Sequence, residues 1–139
     1  VIASEDAIFS ISEAKWGVMA GIIIPHLNAS IGVRNVRRYA LTCERFSASQ
    51  AKEIGLVHQV CDVGELEATA ASIIDHLLLA APDATAQTKA AALKDANLTI
   101  SDEYFEELVL THAAKRQSEE AIEGLTSFAE KRDPTWYRT

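Results

Sequence analysis

The sequence predicts an α/β protein in which one or two short strands accompany about seven helices. Short apolar runs at residues 7–11 and 56–60 are typical of strands. Along the rest of the chain, apolar residues recur at helical spacing, and Ser, Gly and Pro stand where these stretches begin and end. Two short strands do not form a stable sheet alone, so either the chain is an all-helical module or its sheet partners lie in a longer protein. We expect the second, because the run from Val1 to Phe9 reads like the middle of a fold.

The first elements surround a short segment with one acid. Ser10 and Glu13 fit the Ser-x-x-Glu capping box, in which each side chain accepts a hydrogen bond from the other residue's backbone N–H. Pro25 suits the first turn of a helix that runs to Gly32, because its missing N–H would be unpaired there in any case. A second helix follows at residues 33–43, with apolar residues on one face and arginines on the other.

The middle of the chain repeats the capping signal. Ser47 and Gln50 form a second box, and Gly55 is suited to the left-handed residue that ends the short helix between them. The strand at residues 56–60 comes next. A turn then leads into the helical second half of the chain.

Four helices complete the chain. The second of them, at residues 84–96, is rich in alanine, and the last two begin at the N-caps Ser101 and Ser118. The residues predicted to face inward from the other three helices are Leu66, Ala70, Ile73 and Leu77, then Phe105, Leu108, Val109 and Ala113, and finally Ile122, Leu125 and Phe128.

Composition excludes several function classes. The net charge of −7 disfavours nucleic acid as a partner, because such binding requires a basic field. No apolar run approaches the roughly 20 residues of a membrane span, and no signal-peptide pattern is found, so we expect a cytoplasmic protein with no membrane partner. Cys43 and Cys61 are typical of free thiols in a reducing compartment. The four histidines lack zinc-binding spacing, so we expect no metal site.

The segment from Phe9 to Gly21 is the most informative part of the chain. It places Glu13 between a short strand and a turn bounded by glycines, where a carboxylate can be held half-buried and directed at a ligand. The alternative is structural, with Glu13 serving only as the capping-box partner of Ser10. The neighbours that would give the carboxylate apolar surroundings are Ile11, Trp16, Val18 and Met19.

Five segments in this order resemble the enoyl-CoA hydratase/isomerase (crotonase) family, and together they cover nearly the whole chain. They are IASEDAIF at residues 2–9, SEAKWG at 12–17, LTCERFS at 41–47, AKEIGLV at 51–57, and SEEAIEG at 118–124 with FAEKR at 128–132.

The resemblance implies a crotonase-like fold, a spiral of ββα turns with a helical region that packs trimers. This chain would be its C-terminal half, holding the last short strands and the mostly helical end. Residues 1–60 would be the end of the core, with the second catalytic acid, and residues 61–139 a helical oligomerisation region. A homo-oligomer, either a trimer or a dimer of trimers, is the implied assembly.

The resemblance also implies a reaction of fatty acid metabolism. A hydratase of this family adds water across the double bond of an α,β-unsaturated acyl-CoA, without a metal or redox cofactor. Two backbone N–H groups stabilise the charge that develops on the thioester oxygen, and two glutamates handle the water and the proton. Glu13 would be the second glutamate and would deliver a proton to the α-carbon. The first glutamate and the N–H groups would lie in the absent half, so we expect the fragment to be inactive.

Five further residues receive ligand-binding roles from the resemblance, each with a structural alternative. Trp16 and Met19 would line the acyl pocket, and Gly21 would lie beside the active site. Phe128 and Lys131 would contact the adenine end of CoA bound to a neighbouring subunit. The alternatives are a core tryptophan and methionine, a turn glycine, a core phenylalanine and a solvated lysine at a helix end.

One departure from the family pattern concerns the substrate. Many members have several glycines after the acid-bearing turn, whereas this chain has the apolar run AGIIIP at residues 20–25. That run is closer to variants that act on branched or glutaconyl-type acyl-CoA. Two other functions stay open: a Δ3,Δ2-enoyl-CoA isomerase, which needs only one acid, and a non-catalytic helical assembly module.

Overall fold

The computed structural model describes residues 1–96 and 100–136. It is mainly helical with a few short strands, and it adds two 3-10 turns at Glu13–Trp16 and Gly21–Ile23. The strands are β1 (Ile2–Ser4), β2 (Ile8–Phe9), β3 (Phe46–Ser47) and β4 (Gln59–Cys61), and the helices are α1 (Ile24–Thr42), α2 (Ala48–Glu53), α3 (Leu66–Leu78), α4 (Pro82–Asp95), α5 (Asp102–Arg116) and α6 (Glu119–Ala129). The chain divides into two units that interleave along the sequence.

The first unit contains residues 1–9, residues 29–31 and the stretch from Phe46 to the end of α4. Strands β1 and β4 pair in parallel, and β2 and β3 pair antiparallel with Phe9 opposite Phe46. The two rings stack with their centroids 5.7 Å apart. Helix α2 packs against β2, β3 and β4, and the buried side chains of this small core include those of Phe46, Ala48, Ala51 and Val57.

The capping box at the start of α2 is confirmed. The Gln50 N–H donates to Ser47 Oγ at 3.2 Å, and the Ser47 N–H donates to Gln50 Oε1 at 2.9 Å. Gly55 follows the helix in the left-handed region, with φ of +87°, as predicted. The strand predicted at residues 56–60 begins later, at Gln59, because the N–H groups of residues 56 and 57 both donate to the Ala51 carbonyl at the end of α2.

Helices α3 and α4 carry large apolar side chains that stay exposed within the described parts of the chain. The predicted apolar stripe of α3 is present, but none of its residues is buried. Helix α4 begins at Pro82, earlier than predicted, because proline suits the first position of a helix. The exposed large apolar side chains of α3 and its C-terminal end are those of Leu66, Ile73, Ile74, Leu77, Leu78 and Leu79.

The second unit contains residues 10–28, residues 32–45 and the stretch from Ile100 onward. The two helices predicted to meet at Gly32 are confirmed as the two parts of α1, because Gly32 lies at φ +74° and ψ 152° and kinks the helix there. In the part after the kink, Val36 and Tyr39 are buried. The caps predicted for the last two helices are also confirmed: Ser101 Oγ accepts from the Tyr104 N–H, and Ser118 Oγ accepts from the Ala121 N–H.

The face of α6 that packs inward is not the predicted one. Ile122 and Phe128 are 60% and 61% exposed, whereas Ala121, Gly124 and Ser127 are buried. The reason is that α6 packs against the 3-10 turn Glu13–Trp16 so closely that only small residues fit between the two backbones. On α5 the prediction is partly confirmed: Leu108 is buried, but Phe105 is exposed.

The boundary predicted at residue 60 divides the chain by role, and each packing unit includes residues on both sides of it. The role assigned to each part stays a prediction. Within residues 1–96 and 100–136, no helix has both the length and the apolar character needed to cross a bilayer.

Candidate active site

The 3-10 turn Glu13–Trp16 holds the candidate acid, and we call it the acid turn. It ends at Gly17, which has φ of +68°, a conformation that glycine adopts without strain. The N–H of Gly17 donates to the Ala14 carbonyl, and the N–H of Val18 donates to the Glu13 carbonyl. These bonds close the turn, and they leave the Glu13 side chain on its surface, half-buried.

The predicted capping box between Ser10 and Glu13 is wrong. The turn begins two residues later than that box requires, with its N-cap at Ser12, and no side chain caps it. Ser10 Oγ instead donates to the Cys43 carbonyl at 3.2 Å, which ties the segment before the turn to the end of α1. Across the described parts of the chain, no hydrogen bond or ion pair engages the Glu13 carboxylate. The structural alternative proposed for this residue therefore loses its basis.

Glu13 lies at the edge of an apolar cleft of about 190 Å³. Glu13 is the only residue with a polar side chain among those that line this cleft. A ligand in the cleft would therefore meet a single group that can donate or accept a proton. The other lining residues are Ile11, Ala14, Val18, Met19, Ala20, Ile24, Ala40 and Leu41.

The loop at residues 18–20 forms one wall of the cleft, and a hydrogen bond ties it to α5. His112 Nδ1 lies 3.0 Å from the Met19 carbonyl, and since a carbonyl can only accept, the proton of this bond is on Nδ1. Gly21, next in the chain, is buried, and a Cβ there would lie 2.8 Å from Met19 Cε. Sequence reasoning missed His112, because a single histidine in a helix carries no signal of a partner 93 residues away.

The predicted ligand-binding residues fall into two groups. Met19 lines the cleft with Glu13, and Gly21 contacts Met19. Trp16 does not line the cleft; its ring meets the Phe128 ring edge-on, with the centroids 4.7 Å apart. Lys131 is exposed just beyond α6, with φ of +55°. The roles assigned to these residues stay predictions.

The C-terminal end of α6, near Phe128 and Lys131, is fixed by an ion pair. Arg132 donates to both carboxylate oxygens of Glu123, at 2.7 and 2.9 Å, and the Thr135 N–H donates to one of them at 2.9 Å. These bonds, chiefly those from Arg132, lower the pKa of Glu123 from its ordinary 4.5 to about 2.

We expect Glu123→Gln to remove an acid-sensitive contribution to stability. Because the folded-state pKa of Glu123 is lowered to about 2, its contribution is complete above about pH 4.5 and is lost as the pH falls toward 2. The urea midpoint of the variant should therefore lie below that of the parent protein at about pH 6, and the gap should narrow at about pH 2.5. Glu106→Gln, at an exposed glutamate of α5, is the control, and a gap of constant size would contradict the prediction.

Both cysteines are free thiols and half-buried. Outside residues 97–99 and 137–139, no group of three or more His, Cys, Asp or Glu residues is placed to hold a metal ion.

Comparison with known proteins gives a consistent set of relatives. The family model for enoyl-CoA hydratase/isomerase matches residues 1–139. Carnitinyl-CoA dehydratase from Salmonella heidelberg is 32% identical over 143 residues, which are 98% of this chain and 54% of that protein.

Solved structures agree with the sequence match. A carnitinyl-CoA hydratase from Mycobacterium avium superposes with a TM-score of 0.85 at 28% identity, over 98% of this chain and 53% of that one. An enoyl-CoA hydratase from Mycobacterium avium gives 0.85 at 31% identity, with the same coverage of 98% and 53%. The chain thus has the crotonase-like α/β fold, and it spans about half the length of the relatives it matches.

Proposed function

Because the chain belongs to the enoyl-CoA hydratase/isomerase family, we propose that it is part of an enzyme that adds water across the double bond of an α,β-unsaturated acyl-CoA. In this proposal Glu13 donates the proton to the α-carbon. The observation that carries it is the position of Glu13 as the only polar side chain on an apolar cleft.

The chemistry needs a group of this kind at this place. When the oxygen of water bonds to the β-carbon, the electron pair of the double bond moves toward the thioester carbonyl and forms an enolate. A proton must then reach the α-carbon, so that the elements of water are added overall. The Glu13 carboxyl, unengaged by other side chains in the described parts of the chain, can donate that proton within the cleft.

The remaining parts of the reaction would be supplied by the portion of the relatives that this chain does not match. Hydration needs a second group to activate water, and none of the other residues that line the cleft has a polar side chain. The chain matches about half of the length of such enzymes. The glutamate that activates water and the N–H groups that hold the thioester oxygen would then belong to the other half.

A branched or glutaconyl-type acyl group is the proposed substrate. The branched residues Ile22, Ile23 and Ile24 stand where many family members have glycines, and Ile24 lines the cleft. Phe128, whose ring meets that of Trp16, and the exposed Lys131 would contact the adenine end of CoA bound to a neighbouring subunit. The two free thiols favour a reducing, cytoplasmic setting.

Two alternatives have an observation in their favour. A Δ3,Δ2-enoyl-CoA isomerase needs one acid to move a proton between carbons, and the cleft offers one. A non-catalytic assembly module is favoured by the uncovered apolar faces of α3 and α6, which also support the proposed homo-oligomer. Assays of one preparation with a 3-enoyl-CoA and a 2-enoyl-CoA distinguish these functions. An isomerase would convert the 3-enoyl-CoA, a hydratase would hydrate the 2-enoyl-CoA, and a non-catalytic module would turn over neither.

We expect the purified 139-residue chain to show no hydration of crotonyl-CoA, because the cleft lacks the second polar group. The measurement is the loss of the enoyl thioester absorbance, with a complete family hydratase as the positive control. Turnover above the uncatalysed rate by the chain alone would show that all the groups needed lie within it.

A further inference from the structure

We propose that α6 is the platform that positions the acid turn, and that Gly17 and Gly124 are positioning residues for the Glu13 carboxylate. The inference rests on the proposed role of Glu13 and adds the part of the fold that fixes its place. It starts from a contact between two backbones, with no side chain between them.

Gly17 and Gly124 form a reciprocal contact between the acid turn and α6. A Cβ on Gly124 would lie 2.2 Å from the Trp16 carbonyl oxygen, and a Cβ on Gly17 would lie 2.3 Å from the Glu120 carbonyl oxygen. Both distances are far below any contact that a real Cβ makes, and in both cases the obstacle is backbone. Neither glycine can therefore gain a side chain unless the acid turn and α6 move apart.

The surrounding residues extend this contact along the helix. Ala121 and Ser127 are fully buried beside Gly124, and Ser127 Oγ donates to the Gly124 carbonyl at 2.8 Å. The Trp16 ring, at the end of the acid turn, rests edge-on against Phe128 of the same helix. The turn is thus held on α6 by backbone contact and by one aromatic pair.

This contact matters for Glu13 because the turn has little structure of its own. It is a single 3-10 turn of four residues without a side-chain cap. The Glu13 carbonyl accepts from the Val18 N–H, so a shift of the turn would move the cleft wall at residues 18–20 with it. A displacement of about 1 Å at a reacting group can lower a rate on the order of 100-fold.

The test is Gly124→Ala in the natural gene product that carries this sequence, in a background where every tryptophan except Trp16, Trp136 included, is replaced by phenylalanine so that emission reports Trp16 alone. Thr126→Ala, at an exposed position of the same helix, is the matched control. Alanine is the better helix former, so without the contact Gly124→Ala would raise the unfolding midpoint. With the contact, we expect a lower midpoint, a changed Trp16 emission, and a loss in kcat of roughly 10- to 100-fold at a nearly unchanged KM.

Each outcome decides the proposal. A raised midpoint with unchanged Trp16 emission overturns the contact, and changed emission with an unchanged kcat overturns the positioning role. If the parent protein lacks acyl-CoA turnover, the proposed function fails, and the emission and the midpoint still decide whether α6 fixes the turn. Should Gly124→Ala not fold, Ala121→Gly loosens the same buried contact without adding atoms, and its Trp16 emission and kcat should change in the same direction.

Discussion

Replacing Glu13 by glutamine is expected to lower kcat for the proposed enoyl-CoA hydration by roughly 10²- to 10⁴-fold, the usual contribution of a general acid. The substitution keeps the size and shape of the side chain and removes only its ability to give up a proton. Because no other residue that lines the cleft has a polar side chain, none of them can take over the transfer. KM should change little, since the CoA moiety would be bound elsewhere.

The experiment compares Glu13→Gln, Glu13→Asp and Glu106→Gln in the natural gene product that carries this sequence. The aspartate variant keeps the acid but withdraws it by one methylene, so an intermediate rate is expected. Glu106 is exposed on α5 and does not line the cleft, so its amide variant should behave like the parent protein. A Glu13→Gln protein with a kcat within twofold of the parent would remove Glu13 from the mechanism and favour the assembly module.

Phe46→Ala should destabilise the first unit by about 3–5 kcal/mol, the range for a large-to-small change at a buried aromatic residue. Phe46 is 2% exposed, stacks on Phe9, and directly precedes the capping box of α2. The substitution would leave a cavity between β2, β3 and α2, and the chain has few other large side chains there to fill it. A domain of ordinary stability, about 5–15 kcal/mol, would lose a large share of it.

Urea unfolding followed by far-ultraviolet circular dichroism measures this effect. Phe46→Leu, which nearly conserves volume, should cost less than about 1.5 kcal/mol. Phe105→Ala is the matched control on α5, where the ring is 48% exposed, and it should change stability by no more than about 1 kcal/mol. Equal losses for Phe46→Ala and Phe105→Ala would contradict the view that Phe46 is a core residue.

Local hydrogen bonding in this chain was predictable from sequence, and helix packing was not. The capping box of Ser47 and the N-caps Ser101 and Ser118 were predicted correctly, because donor and acceptor lie three residues apart. Ser10 carried the same signal and was mispredicted, because a carbonyl 33 residues away took its hydroxyl. A pattern that is satisfied locally can still lose to a distant partner.

The candidate site divides in the same way. Glu13 and the apolar residues around it are neighbours in sequence, so the segment itself indicated an acid in apolar surroundings. Two other features of the site join residues about a hundred positions apart, so the sequence carried no signal of them. They are the hydrogen bond from His112 to the Met19 carbonyl and the contact of α6 with the acid turn. The amphipathic pattern of α6 pointed to its large apolar face, yet the small face is the one buried within the chain.

The contacts that Gly17 and Gly124 make between the acid turn and α6 have a consequence for sequence variation. Each glycine meets a carbonyl group, and a carbonyl is present whatever residue the gene encodes at that position. No second substitution can therefore make room for a side chain at either site. In a randomised library both positions should stay glycine among functional clones, and neither should covary with the other or with any contacting residue, so a search for coevolving pairs would overlook the contact between the acid turn and α6.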